Sequence, residues 1–153
     1  MENRIKAFAI DYLIMCIIGY LTFKITDNIF LGIMIIYPIT MNKDFLNGKS
    51  IGKRLFNIQV QNLTDQKASE WKCSLRNFLF IIPFDLIFTI FSPTRRIGDR
   101  IAGTKIGINK DCTLKTIRNE LKNYRINKKL IFGLLFALAN TYALIWLYEI
   151  ILS

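Results

Sequence analysis

The sequence predicts an α-helical membrane protein: three transmembrane helices, one re-entrant or interfacial broken helical pair, a short cytoplasmic β ribbon and a basic amphipathic helix. Three observations carry that reading. First, 52% of the 153 residues are apolar, yet the formal net charge is +10. A soluble domain of this size needs its apolar residues in a core and its charges in water. Apolar runs in lipid, joined by charged connections, satisfy both demands. Second, the apolar residues come in runs long enough to reach across a bilayer. Third, the bases are confined to the connections between those runs. With a mean hydropathy of +0.32, the composition excludes a disordered chain, a disulfide scaffold and most soluble enzymes.

The first run, Ala7 to Phe23, holds one charge, Asp11. It is too long for the apolar part of a secretory signal and has no small-residue cleavage site, so it is read as a retained span over about 7–24. The second, Ile29 to Met41, follows after a connection so short that the two helices must form an antiparallel hairpin. It gives a span over about 26–42 in which Pro38 is placed to kink or end the helix. The last run is the clearest. Leu130 to Tyr148 passes nineteen residues without a charge, a span over about 130–152. At about 1.5 Å per residue it crosses a hydrocarbon layer of about 30 Å. Lys128 and Lys129 before it, and Trp146 and Tyr148 near its end, are suited to anchor it at the interfaces.

The run Leu75 to Phe91 is different, with Arg76 at its entrance, Pro83 at its middle and Asp85 just beyond. Lysine and arginine number seven in residues 43–76, eleven in 93–129 and none after 129. The positive-inside rule therefore places the N-terminus and both basic connections in the cytoplasm and the C-terminus outside, in a multi-pass protein of the plasma (inner) membrane. A plain crossing by 75–91 would put the most basic connection outside. The reading is instead a helical pair over about 75–92, broken near Pro83 and buried against protein; a plain span is the alternative.

An internal repeat supports this side assignment. Ile51-Gly52-Lys53-Arg54-Leu55 recurs 46 residues later as Ile97-Gly98-Asp99-Arg100-Ile101. Each copy precedes a short alternating stretch, Asn57 to Gln61 and Thr104 to Ile108, which predicts two strands able to pair as a ribbon under the membrane. Between the second strand and the last span, Leu114 to Lys129 sets Leu114, Ile117, Leu121 and Tyr124 on one helical face. Lys115, Arg118, Lys122, Arg125, Lys128 and Lys129 surround that face, so the segment is expected to lie in the headgroup layer of an anionic leaflet. The bases flank apolar runs instead of forming a stripe with interleaved aromatics, so nucleic acid is not the expected partner.

Several motifs carry no chemistry. Gly48-Lys49-Ser50 lacks the first glycine of a phosphate loop, since Lys43 stands there, and it follows a membrane helix. Asn62-Leu63-Thr64 fits a glycosylation acceptor but falls on the cytoplasmic side. Cys16, Cys73 and Cys112 are scattered and the chain has no histidine, so a Cys/His zinc site and a histidine-dependent triad are both excluded. No enzyme activity, metal or cofactor is expected. Proton chemistry would fall to carboxylates.

Asp11 is the informative acid. An aspartate on a lipid-facing helix costs about 2.5–3.5 kcal/mol at the bilayer centre and less near the interface, so it should face protein and have a partner. Arg4 stands two turns earlier on the same face, but both side chains tilt toward the N-terminus. Arg76, or a base of the second repeat copy such as Arg100, is the expected partner.

Arg4, Ala7, Ile10 and Asp11 open the first helix; Gly48-Lys49-Ser50-Ile51-Gly52-Lys53-Arg54 with Val60 follows; then come Trp71, Arg76-Asn77, Asp85, Ser92-Pro93 and Arg96 through Thr104. In that order they resemble the RDD family of small membrane proteins, named for an arginine and two aspartates. The resemblance covers about residues 1–109, leaving 110–129 as a basic amphipathic cytoplasmic segment and 130–153 as an added C-terminal helix. It implies that Arg4 and Asp11 are the family's arginine and first aspartate, with Asp85 or Asp99 as the second. It also implies membrane residence and, from an association made for some members, sodium/proton antiport.

Two functions from different classes follow. In one, the protein takes part in cation/proton exchange through intramembrane carboxylates, Asp11 and Asp85 alternately protonated and ion-bound. In the other it is a non-transporting scaffold, assembly factor or protective partner protein, and Arg4, Asp11, Arg76, Asp85, Asp99 and Arg100 form a buried charge network. A homo-oligomer is expected, because Gly133, Ala137, Ala139 and Asn140 offer small or hydrogen-bonding side chains on the last helix.

Overall fold

A computed structural model describes residues 2–78, 95–109 and 113–152. The elements are α1 (Glu2–Thr26), α2 (Ile29–Asn42), α3 (Ile51–Leu55), β1 (Ile58–Asn62), α4 (Glu70–Asn77), α5 (Ile97–Ile101), β2 (Thr104–Ile108), α6 (Ile117–Asn123) and α7 (Lys128–Leu152). Asp85, Pro83, Cys112 and nearly all of the broken pair expected over 75–92 lie outside the described residues; its first residues belong to α4, which begins earlier, at Glu70.

Among the described residues, two helices, α1 and α7, are long and apolar enough to cross a membrane. Their burial argues against a soluble core. In α1 only Ala7 and Asp11 are buried, while Ile17, Leu21 and Phe23 are exposed. A core helix would hide those side chains, whereas a lipid-facing helix leaves them outside. The third expected span is shorter than the reading required. α2 has 14 residues, which at about 1.5 Å each is well short of the hydrocarbon thickness. Its start is fixed by the tight hairpin: Asp27 adopts a left-handed φ of 47°, and Asn28 caps α2 by accepting from the N–H groups of Phe30 (2.9 Å) and Leu31 (3.3 Å). Pro38 does not end the helix, which continues to Asn42.

α7 packs onto α2 and α4. Tyr37, Met41 and Ala137 form the buried cluster there, with Phe78, Phe136 and Leu144 against it, and Trp71 meets Phe136 edge-on at 5.1 Å. This corrects the assignment of the small residues. A Cβ on Gly133 would press on Ser74 Oγ, Ala137 is fully buried, and Asn140 donates to its own helix at Phe136 O (2.7 Å). The Gly133–Ala137 face lets α7 approach α2 and α4 of the same chain, so it is not an outward contact.

The ribbon forms as the alternation predicts. β1 and β2 pair antiparallel, from Ile58 opposite Ile108 to Asn62 opposite Thr104. Val60, Ala68 and Cys73 bury under it with Ile106 packed alongside. The basic helix is shorter than expected: a 3-10 turn at Leu114–Thr116 leads into the seven residues of α6, and the chain then extends through Tyr124 before α7 starts at Lys128.

Candidate functional site

The two repeat copies and the N-terminal part of α1 build one buried charge network. In the first copy, Ser50 caps α3 through the Lys53 N–H and also donates its hydroxyl to Asp11 Oδ2 at 2.6 Å. The Gly52 N–H donates to Asp11 Oδ1 at 2.8 Å. That approach needs glycine, because a Cβ at position 52 would run into the Ala7 carbonyl. Two ammonium groups complete the shell, Lys43 Nζ at 3.5 Å and Lys53 Nζ at 4.0 Å. Two hydrogen bonds and two cations offset the desolvation of a carboxylate that is 4% exposed.

The second copy uses the same backbone and reversed charge. Gly98 of α5 sits so close to the Arg76 carbonyl that a Cβ could not fit, as Gly52 sits on Ala7. The next residue, Lys53 in the first copy, is Asp99 here. Arg4 Nη2 reaches Asp99 Oδ2 at 2.7 Å and Arg76 Nη2 reaches Oδ1 at 2.9 Å. The Arg96 N–H donates to Oδ2 at 3.3 Å. Between the two sites lies Asp44, fully buried, which receives Lys53 Nζ at 2.5 Å and Asn77 Nδ2 at 3.1 Å, with Arg76 Nη1 at 3.9 Å. Arg96 Nη2 donates to Asn77 Oδ1 at 2.8 Å and ties the second copy to α4.

Electrostatics follow from this packing. Burial alone would raise the Asp44 and Asp99 carboxyls. The surrounding cations (Lys53, Arg76 and Lys43 for Asp44; Arg76, Arg96 and Arg4 for Asp99) overcome it and hold both below the usual carboxylate range. Lys43 goes the other way. Burial lowers its ammonium to about 8, with Asp11 opposing the shift. A cavity of about 20 Å³ lies among Arg4, Asp11, Lys43, Lys53, Arg76 and Arg96, room for one water-sized particle.

Measured against the sequence, Arg4, Asp11, Arg76 and Asp99 come together, but not in the expected pairs. Asp11 is held by the first repeat copy and Lys43, while Arg76 goes to Asp99 and Asp44. The physical reason is that α3 offers Asp11 a hydroxyl and a backbone N–H at contact distance. Arg100 is exposed on the outer side of α5 and takes no part in the network among the described residues; on so short a helix the neighbouring Gly98 and Asp99 are the ones turned inward. Asp85 lies outside the described residues. Lys43, Asp44, Ser50, Lys53, Asn77 and Arg96 are members that sequence reasoning missed.

A satellite site joins the first copy to α6. Glu120 accepts from Arg54 Nη2 (2.8 Å), Asn47 Nδ2 (2.9 Å) and Lys49 Nζ (3.1 Å). Burial would raise its carboxyl, but these three donors hold it at about 2. The described residues contain no group of three or more acids or cysteines able to hold a metal ion.

Long apolar helices with outward apolar faces, closed at one end by a buried ion network, define a small integral membrane protein. The chain belongs to the RDD family, whose family model matches residues 1–149. The match therefore extends well into α7, past the motifs at 1–109 that first suggested it. No curated protein and no solved structure matches the chain significantly.

Proposed function

We propose that the network is structural and that the protein serves as a non-enzymatic membrane scaffold, assembly factor or protective partner in the plasma (inner) membrane. In this reading the N-terminus and the network lie on the cytoplasmic side. The carrying observation is the saturation of the network's described acids: Asp11, Asp44 and Asp99 are each engaged by donors from at least two different chain segments. Asp44 and Asp99 stay ionised near neutral pH. Carboxylates that bind and release protons in a transport cycle need the opposite property. A homo-oligomer, if formed, would use the outer face of α7, where Phe132, Leu135, Tyr142 and Trp146 are exposed, and not the Gly133–Ala137 face.

A second reading, cation/proton exchange, is favoured by Lys43. A hard cation entering the small cavity beside Asp11 could displace the Lys43 ammonium, and a lysine lowered to about 8 would then release its proton. Lys43 would be the proton carrier, Asp11 the cation ligand. Sodium flux driven by a pH gradient, measured on purified protein in vesicles, separates the readings. The scaffold reading expects flux no greater than in empty vesicles. Flux that disappears in folded Asp11→Asn and Lys43→Met variants would overturn it in favour of exchange.

A further inference from the structure

Six bases, four before α7 and two in its first turn, contrast with those of the network. Lys115, Arg118, Lys122, Arg125, Lys128 and Lys129 make no ion pair with any described residue, whereas Arg4, Lys43, Lys53, Arg54 and Arg76 all do. Their orientation is set from the other side of α6. Glu120 is clamped by Arg54, Lys49 and Asn47, and the Tyr124 ring lies edge-on to Phe45 at 5.7 Å with its hydroxyl 3.4 Å from Glu70 Oε1. The opposite face is therefore turned outward. It carries Leu121, 50% exposed, flanked by Leu114 of the preceding 3-10 turn, 43% exposed, and by Ile126 beyond the helix, 75% exposed. A merely solvated basic helix has no reason to show three large apolar side chains among its charges.

We propose that residues 114–126 form a docking surface for the anionic headgroups of the membrane that α7 crosses, with Glu120 as the residue that positions it. The bases meet lipid phosphates while Leu114, Leu121 and Ile126 enter the headgroup layer. Continuity with α7 keeps the segment at the bilayer surface. The exposed leucines separate this partner from a soluble polyanion, which would use the charges alone.

Amide hydrogen exchange on the full-length protein tests it, in nanodiscs of phosphatidylcholine alone and of phosphatidylcholine with phosphatidylglycerol. Amides of 114–126 should exchange roughly fivefold more slowly in the anionic discs, about the effect of one base's worth of headgroup attraction, while the β1–β2 ribbon is unchanged. Lys115→Gln/Arg118→Gln/Lys122→Gln/Arg125→Gln should remove the difference. Glu120→Gln, which keeps every base, should reduce it by letting α6 roll. Equal exchange in the two discs of the unmodified chain would overturn the proposal. So would protection in neutral discs on adding inorganic phosphate or a DNA oligonucleotide, which would assign the surface to a soluble anion.

Discussion

The two repeat copies share one backbone and opposite electrostatics. Each is a five-residue helix that presses a glycine onto a neighbouring helix's carbonyl, Gly52 on Ala7 and Gly98 on Arg76, and each leads into one strand of the ribbon. The first copy supplies donors to an acid of α1, with Ser50 and Gly52 on Asp11. The second supplies the acid itself and draws in Arg4 of the same helix. A local geometry can thus be duplicated while its charge is inverted, and α1 is gripped at two points, two turns apart, by opposite signs.

The copies should fail differently. The largest effect is expected at Asp99→Asn, which takes the shared carboxylate from the fully buried Arg76 and the partly buried Arg4; removing one partner of a buried pair costs about 3–5 kcal/mol. Denaturation in mild detergent measures it. Asp11→Asn should cost less, about 1–2 kcal/mol, since the amide oxygen still accepts from the Gly52 N–H and the amide NH2 can donate to a reoriented Ser50 hydroxyl. Equal losses would erase the distinction between the copies. Gly52→Ala and Gly98→Ala should be alike, each losing about 1–3 kcal/mol through a clash with backbone that no rotamer relieves. Gly107→Ala is the milder control, because the atoms it would meet belong to the Gln61 side chain, which can swing away.

A smaller effect concerns pH. Lys43 is lowered from 10.5 to about 8 in the folded chain. Between those values the unfolded state binds more protons, so stability should rise as pH increases across that window. Lys43→Met should flatten the rise; an unchanged slope would show that Lys43 is not the source. Glu120 carries the opposite pH dependence. With its carboxyl lowered from 4.5 to about 2, its contribution is present above pH 4.5 and lost as pH falls toward 2. Glu120→Gln should remove that part of the acid transition.

The membrane helices, the ribbon and the burial of Asp11 were legible in the sequence, because uncharged length, period-two alternation and an acid in an apolar run are local signals. The partners were not. Asp11 is held 39 residues away by a hydroxyl and a backbone N–H, and a main-chain donor leaves no mark on composition. Asp44 and Lys53 meet through the turn between α2 and α3, where no periodicity applies. Arg100 looked equivalent to its neighbours because a five-residue helix is too short for its sequence to say which side is inward. The basic segment misled in another way: the predicted apolar face grouped Tyr124 with Leu114 and Leu121, but Tyr124 packs inward beside Glu120 while Leu114 and Leu121 point out.

The central claim is that α1 is held by the second copy through Arg4 and by the first through Asp11. A double-mutant cycle on Arg4→Met and Asp99→Asn tests it most directly, run beside the cycle on Arg4→Met and Asp11→Asn. The Arg4–Asp99 pair should show a coupling energy above about 1.5 kcal/mol, and the Arg4–Asp11 pair, on one helix but not in contact, one below about 0.5 kcal/mol. Coupling of Arg4 to Asp11 that equals or exceeds its coupling to Asp99 would contradict the account.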